Sequence, residues 1–592
     1  MTVAYISKRN TIMETKWSAL VDGQAAERMW WPESLRELTL DTARFRRQSI
    51  KNILWPASLR RLTFGLHFNQ PIDNITWPET TKILTFGESF NQSIDAVRWP
   101  TSLERLSFGR SFNHSIDLVV WPESMLYLAF GNDFNQPITN VQWPPPLRQL
   151  AFGSEFNHPI HNIVWPTSLQ RLTLGQRFDQ PLHRVVWPES MKGLLLGWES
   201  DEPIDGVAKL ASHRLQFFGQ SFDRPINRVA WPASLEVLKF GRHFNQPVDT
   251  VAWPHSLQTL SFGVDFNHPI AKVTWPDSLR ELTFGHNFNR PIDAVVWPDS
   301  LRQLSFGHEF GQPIEHVKWP AALKALSFGW MFNHSIDNVE WPDGLQILTF
   351  GTSFNRSIDG VAWPPALKQL TFGGAFNQPI TRAVWPVSLT RLKFGREIDQ
   401  PQFLPKLKFW RKSERFTTDT ADTELFPMES FDQPIDDVVW PPSLQTLSLG
   451  SSFNRPVDRV IWPVSLRKLT FGRDFNHPIT NVSWPDSLRQ LAFGWNFDQP
   501  IHDVVWPATL QQLVFGTKFN QPIDRVAWPS SLEQLKFGTR FNQPIDGVMW
   551  PKSLQRVVFG RPIELPVETL KRRGIHVITP VTPILDLSLD LL

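Results

Sequence analysis

Apolar positions return in this chain on a beat of 22 residues. One unit shows the whole pattern: Phe288-Asn289-Arg290-Pro291-Ile292-Asp293-Ala294-Val295-Val296-Trp297-Pro298-Asp299-Ser300-Leu301-Arg302-Gln303-Leu304-Ser305-Phe306-Gly307-His308-Glu309. Val295 and Trp297 flank one residue, and Leu304 and Phe306 flank another. Alternation of period two marks a short strand with one face buried. Pro298 lacks the N–H that a strand ladder needs and Gly307 permits positive φ, so both fall at corners. The unit predicts two short strands joined by tight turns, with no length left for a long helix.

So short a unit cannot bury its own apolar side chains, whereas stacked copies bury them against the coils above and below. The predicted fold class is therefore all-β: a parallel β-solenoid of about 24 coils with two short strands each, running ~110 Å at ~4.8 Å per rung. Its core would be columns of Trp, Leu, Phe, Ile and Val.

Trp-Pro dipeptides mark the coils. Trp31-Pro32 is followed by Trp55-Pro56 and then by regular steps to Trp187. One unit degenerates near 198–219, where Lys209-Leu210 stands at the Trp-Pro position, and the steps resume from Trp231 to Trp385. A long gap separates Trp385 from Trp440. Within it Asp399-Gln400-Pro401 and Phe431-Asp432-Gln433-Pro434 still match the motif, and the charged, Thr-rich stretch between them reads as a loop leaving the stack. The predicted organisation is an N-terminal cap (1–30), a solenoid (31–405), an inserted loop (406–424), a continued solenoid (425–560) and a C-terminal cap (561–592). Caps are needed because a bare end exposes core and unpaired strand edges.

Composition sharpens this picture in two places. Tyr occurs twice and Cys not at all beside 28 Trp and 45 Phe, the skew that a copied aromatic motif produces. Without cysteine there is no disulfide, thiolate metal site or cysteine nucleophile. Met1 to Ala19 lacks the apolar core of a signal peptide, and no apolar run reaches the ~20 residues of a membrane span. The expectation is an intracellular, cytoplasmic protein. Basic and acidic residues nearly cancel, 59 against 57, so no global field draws nucleic acid or an anionic membrane.

The phrase Phe-Asn-Gln-Pro-Ile, as at Phe68-Asn69-Gln70-Pro71-Ile72 and Phe519-Asn520-Gln521-Pro522-Ile523, resembles the FNIP repeat, a family similar to leucine-rich repeats. The likeness covers roughly residues 31 to 560. It implies a leucine-rich-repeat-like solenoid with a protein-interaction role. FNIP repeats often accompany an enzymatic or F-box-like domain, for which neither flank has the length or pattern.

Chemistry, if present, should break the repeat. Asn after the loop Phe (Asn69, Asn91, Asn289) is read as a buried amide ladder, and the Ser after Trp-Pro-x (Ser58, Ser102, Ser300) as a turn residue bonding nearby backbone. His286 and His308, with Glu309 beside the second, stand one period apart, as do His161 and His183. They are read as surface variation, so no metal, cofactor or catalytic residue is assigned. Basic residues after the first Leu (Arg60, Lys82, Arg302, Lys324) and acidic ones after Trp-Pro (Glu79, Asp299, Asp343) form bands expected to pair across coils. Variable positions hold the remaining information. Before the second Leu stand Arg61, Tyr127 and Arg391; after the Gly corner stand Trp198, His286, His308, Trp330, Met331 and Trp495. These nine form the candidate interaction surface of a non-catalytic protein-binding scaffold. The alternative is a nucleic-acid or polyanion binder using the basic band, a reading its acidic neighbours weaken.

Overall fold

The structure is a computed structural model of the chain, and it describes residues 16–19, 34–40, 50, 53–198, 221–395, 430–560, 570 and 573–578. The expected cap residues 1–15 and 20–30, the decayed unit from 199 to 219, the 406–424 loop and the tail beyond 578 lie outside the described residues. Two compact units are distinguished: residues 1–288 with 402–406, and residues 289–401 with 407–592.

Apart from the single helical residue Leu570, the regular elements among the described residues are β-strands. The first unit carries β1 (Lys16–Ala19), β2 (Glu37–Leu40), β3 (Arg61–Phe64) and their successors to β12 (Glu281–Thr283). Each pairs in parallel with its neighbour in sequence. The second unit carries β13 (Gln303–Ser305) to β24 (His576–Ile578), again parallel throughout. Register never drifts between regular coils: Leu62 faces Leu84 and Leu84 faces Leu106, as Leu326 faces Leu348 and Leu348 faces Leu370. Strands β2 to β23 each follow one Trp-Pro, two fewer than the ~24 coils that length suggests.

Each coil holds one strand, not the predicted two. The Ile-x-x-Val half is a turn: the Val295 N–H donates to the Ile292 carbonyl at 3.2 Å, and Val361 to Ile358 at 3.4 Å. Those amides are spent within their own coil and have none to offer the next. Val and Trp are nonetheless buried, so the alternation reported the core correctly and the backbone wrongly.

The Gly corner also has a different cause from the expected one. Positive φ occurs at Gly360, Gly395, Gly547 and Gly574, and of these only Gly395 stands at a Phe-Gly corner. The corner glycines are demanded by close approach. A Cβ on Gly109 would lie 2.0 Å from the Gly87 carbonyl oxygen, and one on Gly351 would lie 1.6 Å from that of Gly329.

The core is a set of aromatic and aliphatic columns. Phe64 stacks on Phe86 at 5.2 Å, Phe68 on Phe90 at 5.9 Å, and Trp77 on Trp99 at 6.5 Å. Each fully buried Leu or Phe contributes about 1.5–3 kcal/mol. The indole N–H groups of Trp77 and Trp99 have no hydrogen-bond acceptor. The rings stand edge-on to Phe faces (Phe64–Trp77, 6.2 Å and 80°; Phe86–Trp99, 6.5 Å and 72°), where a π face is a weak acceptor.

Strand pairing continues directly across the two long gaps in the described residues. β9 (Gly193–Trp198) pairs directly with β10 (Val237–Lys239), Gly193 opposite Val237. Likewise β17 (Arg391–Phe394) pairs directly with β18 (Thr446–Ser448). The amide ladder steps from Asn377 to Asp432, whose N–H bonds the Asn377 Oδ1 at 2.9 Å; the motif match at Asp399-Gln400-Pro401 lies outside the described residues.

Candidate interaction surface

The amide ladder is built at the surface, against the burial expected for it. Asn91 and Asn113 are exposed, and Asn333 and Asn355 half-buried. The Asn91 Oδ1 accepts the N–H of Asn113 at 3.0 Å, and the Asn113 Oδ1 that of Asn135 at 2.9 Å. A carboxylate serves equally: the Asp498 Oδ1 accepts the Asn520 N–H at 2.9 Å. The next residue ties the same joint. Gln136 Nε2 donates to the Asn113 Oδ1 at 2.9 Å and carbonyl at 3.2 Å; His at that position reaches the carbonyl alone, as His158 does at 3.1 Å from Asn135. His114, His158, His268, His334 and His477 are therefore ladder members. Ser after Trp-Pro-x also bonds across coils, Ser168 Oγ to the Leu147 carbonyl at 2.7 Å, and is no local turn cap.

One described coil breaks the ladder. Gly311 accepts nothing through a side chain, although its own N–H still bonds the Asn289 Oδ1 at 3.1 Å. Beside that break stand three predicted surface residues of the second unit. The His308 ring lies 5.2 Å from the Trp330 ring, and the Met331 N–H donates to the His308 carbonyl at 2.9 Å. His308 Nδ1 is 2.8 Å from the Glu309 Oε1, and the Met331 side chain is 47% exposed. An imidazole, an indole and a thioether thus share one edge of two adjacent coils.

Arg61 projects from the strand face toward Glu37 at 3.6 Å. Tyr127 is buried, at 4% exposure, with the Arg105 guanidinium 5.5 Å over its ring, so it is corrected from contact residue to packing residue. Arg391 is exposed on β17, in register with Gln369 and Thr446. His286, in the first unit, bonds Asn287 Oδ1 through Nδ1 at 2.8 Å. Trp495 is 43% exposed, one residue before Asn496, which donates to Asp474 at 2.8 Å. Trp198 ends β9 opposite Gly175, where the register shifts, and its side chain lies outside the described residues.

A polar groove of about 520 Å³ in the first unit was missed, lined by Asp223, His243, Asn245, Asp265, Asn267 and Asn287. His243 Nδ1 lies 2.6 Å from Asp265, and Asn287 donates to the same carboxylate at 3.1 Å. It forms where the ladder column and the post-Gly column run side by side, a juxtaposition invisible in a linear repeat. Charges also pair differently from the expected bands. Lys82 meets Glu104 at 2.6 Å and Lys192 meets Glu236 at 3.0 Å, both pairs within the basic column. Glu79 accepts the Thr101 hydroxyl and N–H, at 2.7 and 2.8 Å, and these bonds hold its carboxyl below its ordinary range. Burial on the strand face pushes the Lys239 ammonium down, with Glu281 opposing.

A parallel β-solenoid with one strand per short coil, a cross-coil Asn ladder and variable edges is of the leucine-rich-repeat kind. The FNIP Repeat family matches at eleven places across residues 48–177, 222–330, 332–397 and 431–561, and the chain belongs to that family. Among solved structures it is similar to "CroV588 a novel circular LRR protein structure", with 33% identity and a TM-score of 0.67 over 90% of this chain and 80% of that one. Mouse RP105/MD-1 (12% identity, TM-score 0.46, 92% and 94% covered) and an internalin of Listeria monocytogenes (12%, 0.35, 60% and 89%) also match. The search of curated proteins found no match. No helix among the described residues is long and apolar enough to cross a membrane.

Proposed function

We propose that this chain is a non-catalytic scaffold that binds a protein partner through its post-Gly edge and variable strand face. The observation that carries the reading is the coincidence at Gly311. The ladder is interrupted in the coil of His308, beside which the next coil sets Trp330 and Met331, and an amide ladder kept in neighbouring coils yields where something other than stacking is selected. Aromatic and thioether side chains on a rigid edge suit a protein surface, since they bring large contact area at low entropic cost. The polyanion reading has less support: Lys82 and Lys192 are already neutralised by carboxylates in their own column.

The test is affinity purification of the full chain from the cells that make it, beside a Trp330→Ala/Met331→Ala variant. A protein recovered by the first and depleted at least ~10-fold by the second, with unchanged thermal midpoint, is the expected result. Equal recovery would overturn the assignment of this edge. Recovery of nucleic acid alone, released steeply by salt, would overturn the protein-scaffold reading.

A further inference from the structure

The Trp corner carries two columns that neither strand nor ladder uses: the residue before each Trp and the second residue after it. On most coils a polar or charged residue occupies one of them. On four consecutive coils of the second unit, those of Trp363, Trp385, Trp440 and Trp462, both columns are apolar. Val384, Val387, Val439, Ile461 and Val464 are 74%, 75%, 80%, 81% and 82% exposed, and Pro442 lies exposed among them. The coils are direct neighbours, because Thr390 N–H bonds the Lys368 carbonyl, Gln445 that of Thr390 and Arg467 that of Gln445, all at 2.8–2.9 Å. The apolar surface is on the order of 500 Å², near the upper end of what a monomer leaves exposed.

The rim of this patch is charged on two sides with opposite sign. Toward the Ile turn stand Asp359, Asp436, Asp437 and Asp458 with Arg382 and Arg459; four carboxylates and two guanidiniums leave a formal −2. Toward the strand stand Lys368 and Arg467, a formal +2. Glu340 and Asp343 close one end of the patch and Asp486 the other.

We propose that this patch is the interface of a homodimer, covered by the same four coils of a second copy of this chain. A two-fold axis along the stacking direction lays valine on valine and brings each acidic flank against the other copy's Lys368 and Arg467. The rim is therefore self-complementary about that axis, which a surface built for an unrelated partner has no reason to be. The acidic ends meet their own counterparts at the perimeter, where solvent and salt screen them, and so bound the contact to four coils. With its flanks the face approaches the ~800 Å² per partner of a standard interface.

The experiment is light scattering after size exclusion on the full chain at physiological salt. The expected mass is twice 68.4 kDa. Val439→Glu with Ile461→Glu places charge on exposed positions without touching the core. It should weaken dimerisation more than ~10-fold while leaving the thermal midpoint unchanged. Lys368→Glu/Arg467→Glu should also lose the dimer, and mixing that chain with an Asp436→Lys/Asp437→Lys chain should restore a mixed dimer. A wild-type chain that stays at 68.4 kDa up to roughly 100 µM would overturn the proposal. So would a dimer indifferent to the two glutamates, or a different protein found seated on the patch of a monomer.

Discussion

At one corner of the coil stands Gly472, where a Cβ would lie 1.8 Å from the Gly450 carbonyl oxygen. Four residues on, at the next corner, stands Asn476, whose Oδ1 accepts the Asp498 N–H at 2.9 Å and the Gln499 Nε2 at 3.1 Å. The two corners are almost equally monotonous in sequence, and they are monotonous for unlike reasons. The first is steric: two backbones touch, and no side chain of any kind fits. The second is chemical: any short side chain with an acceptor oxygen serves, which is why Asp179, Asp223, Asp432 and Asp498 appear there and even Gly311 is tolerated once. A repeat thus conceals two different tolerances, and only contact geometry separates them.

The comparison breaks most sharply at the glycine. Gly472→Ala should destabilise the fold by on the order of 4 kcal/mol or leave it unfolded, because the clashing atoms are backbone on both sides. Urea denaturation followed by circular dichroism reads it, and a loss under about 1 kcal/mol would mean the corner relaxes freely. A smaller effect belongs to the amide. Asn476→Ala should cost about 1–2 kcal/mol by orphaning one backbone N–H, and Asn476→Asp less than about 0.5. Equal losses for the two variants would show that the amide nitrogen, not Oδ1, carries the ladder.

The smallest effect is a pH dependence at Glu79. Its hydrogen bonds from Thr101 lower its pKa in the folded chain below the ordinary 4.5, so the folded state holds the proton more weakly than the unfolded one. The stabilisation is therefore fully present above that ordinary value and fades as pH falls through the lower folded one. Glu79→Gln should lower the thermal midpoint slightly at pH 7 and match the parent in strong acid. A difference that persists in acid would rule out the carboxylate as its source.

Much of the molecule was legible beforehand. The pairing of Leu326 with Leu348 and the burial of Val295 and Trp297 follow from the period, since stacked copies must place identical residues on identical contacts, and the family follows from the phrase Phe-Asn-Gln-Pro-Ile. Tyr127 was misjudged because its position before the second Leu is exposed in some coils and buried in others. The groove beside His243 and the patch around Val439 were missed because each joins residues from different coils and different columns. Position along the chain carries no sign of that adjacency.

The sequence by itself determined that this protein is a stack and which side chains fill its interior. A 22-residue beat of apolar residues admits few other ways to leave water. Tertiary structure decided the rest. It set one strand per coil, because the Ile-Val turn consumes its own amides, and glycine at the corner by contact, not by φ. It decided also which coils are neighbours, since only hydrogen bonds between coils show that Asn377 is followed by Asp432.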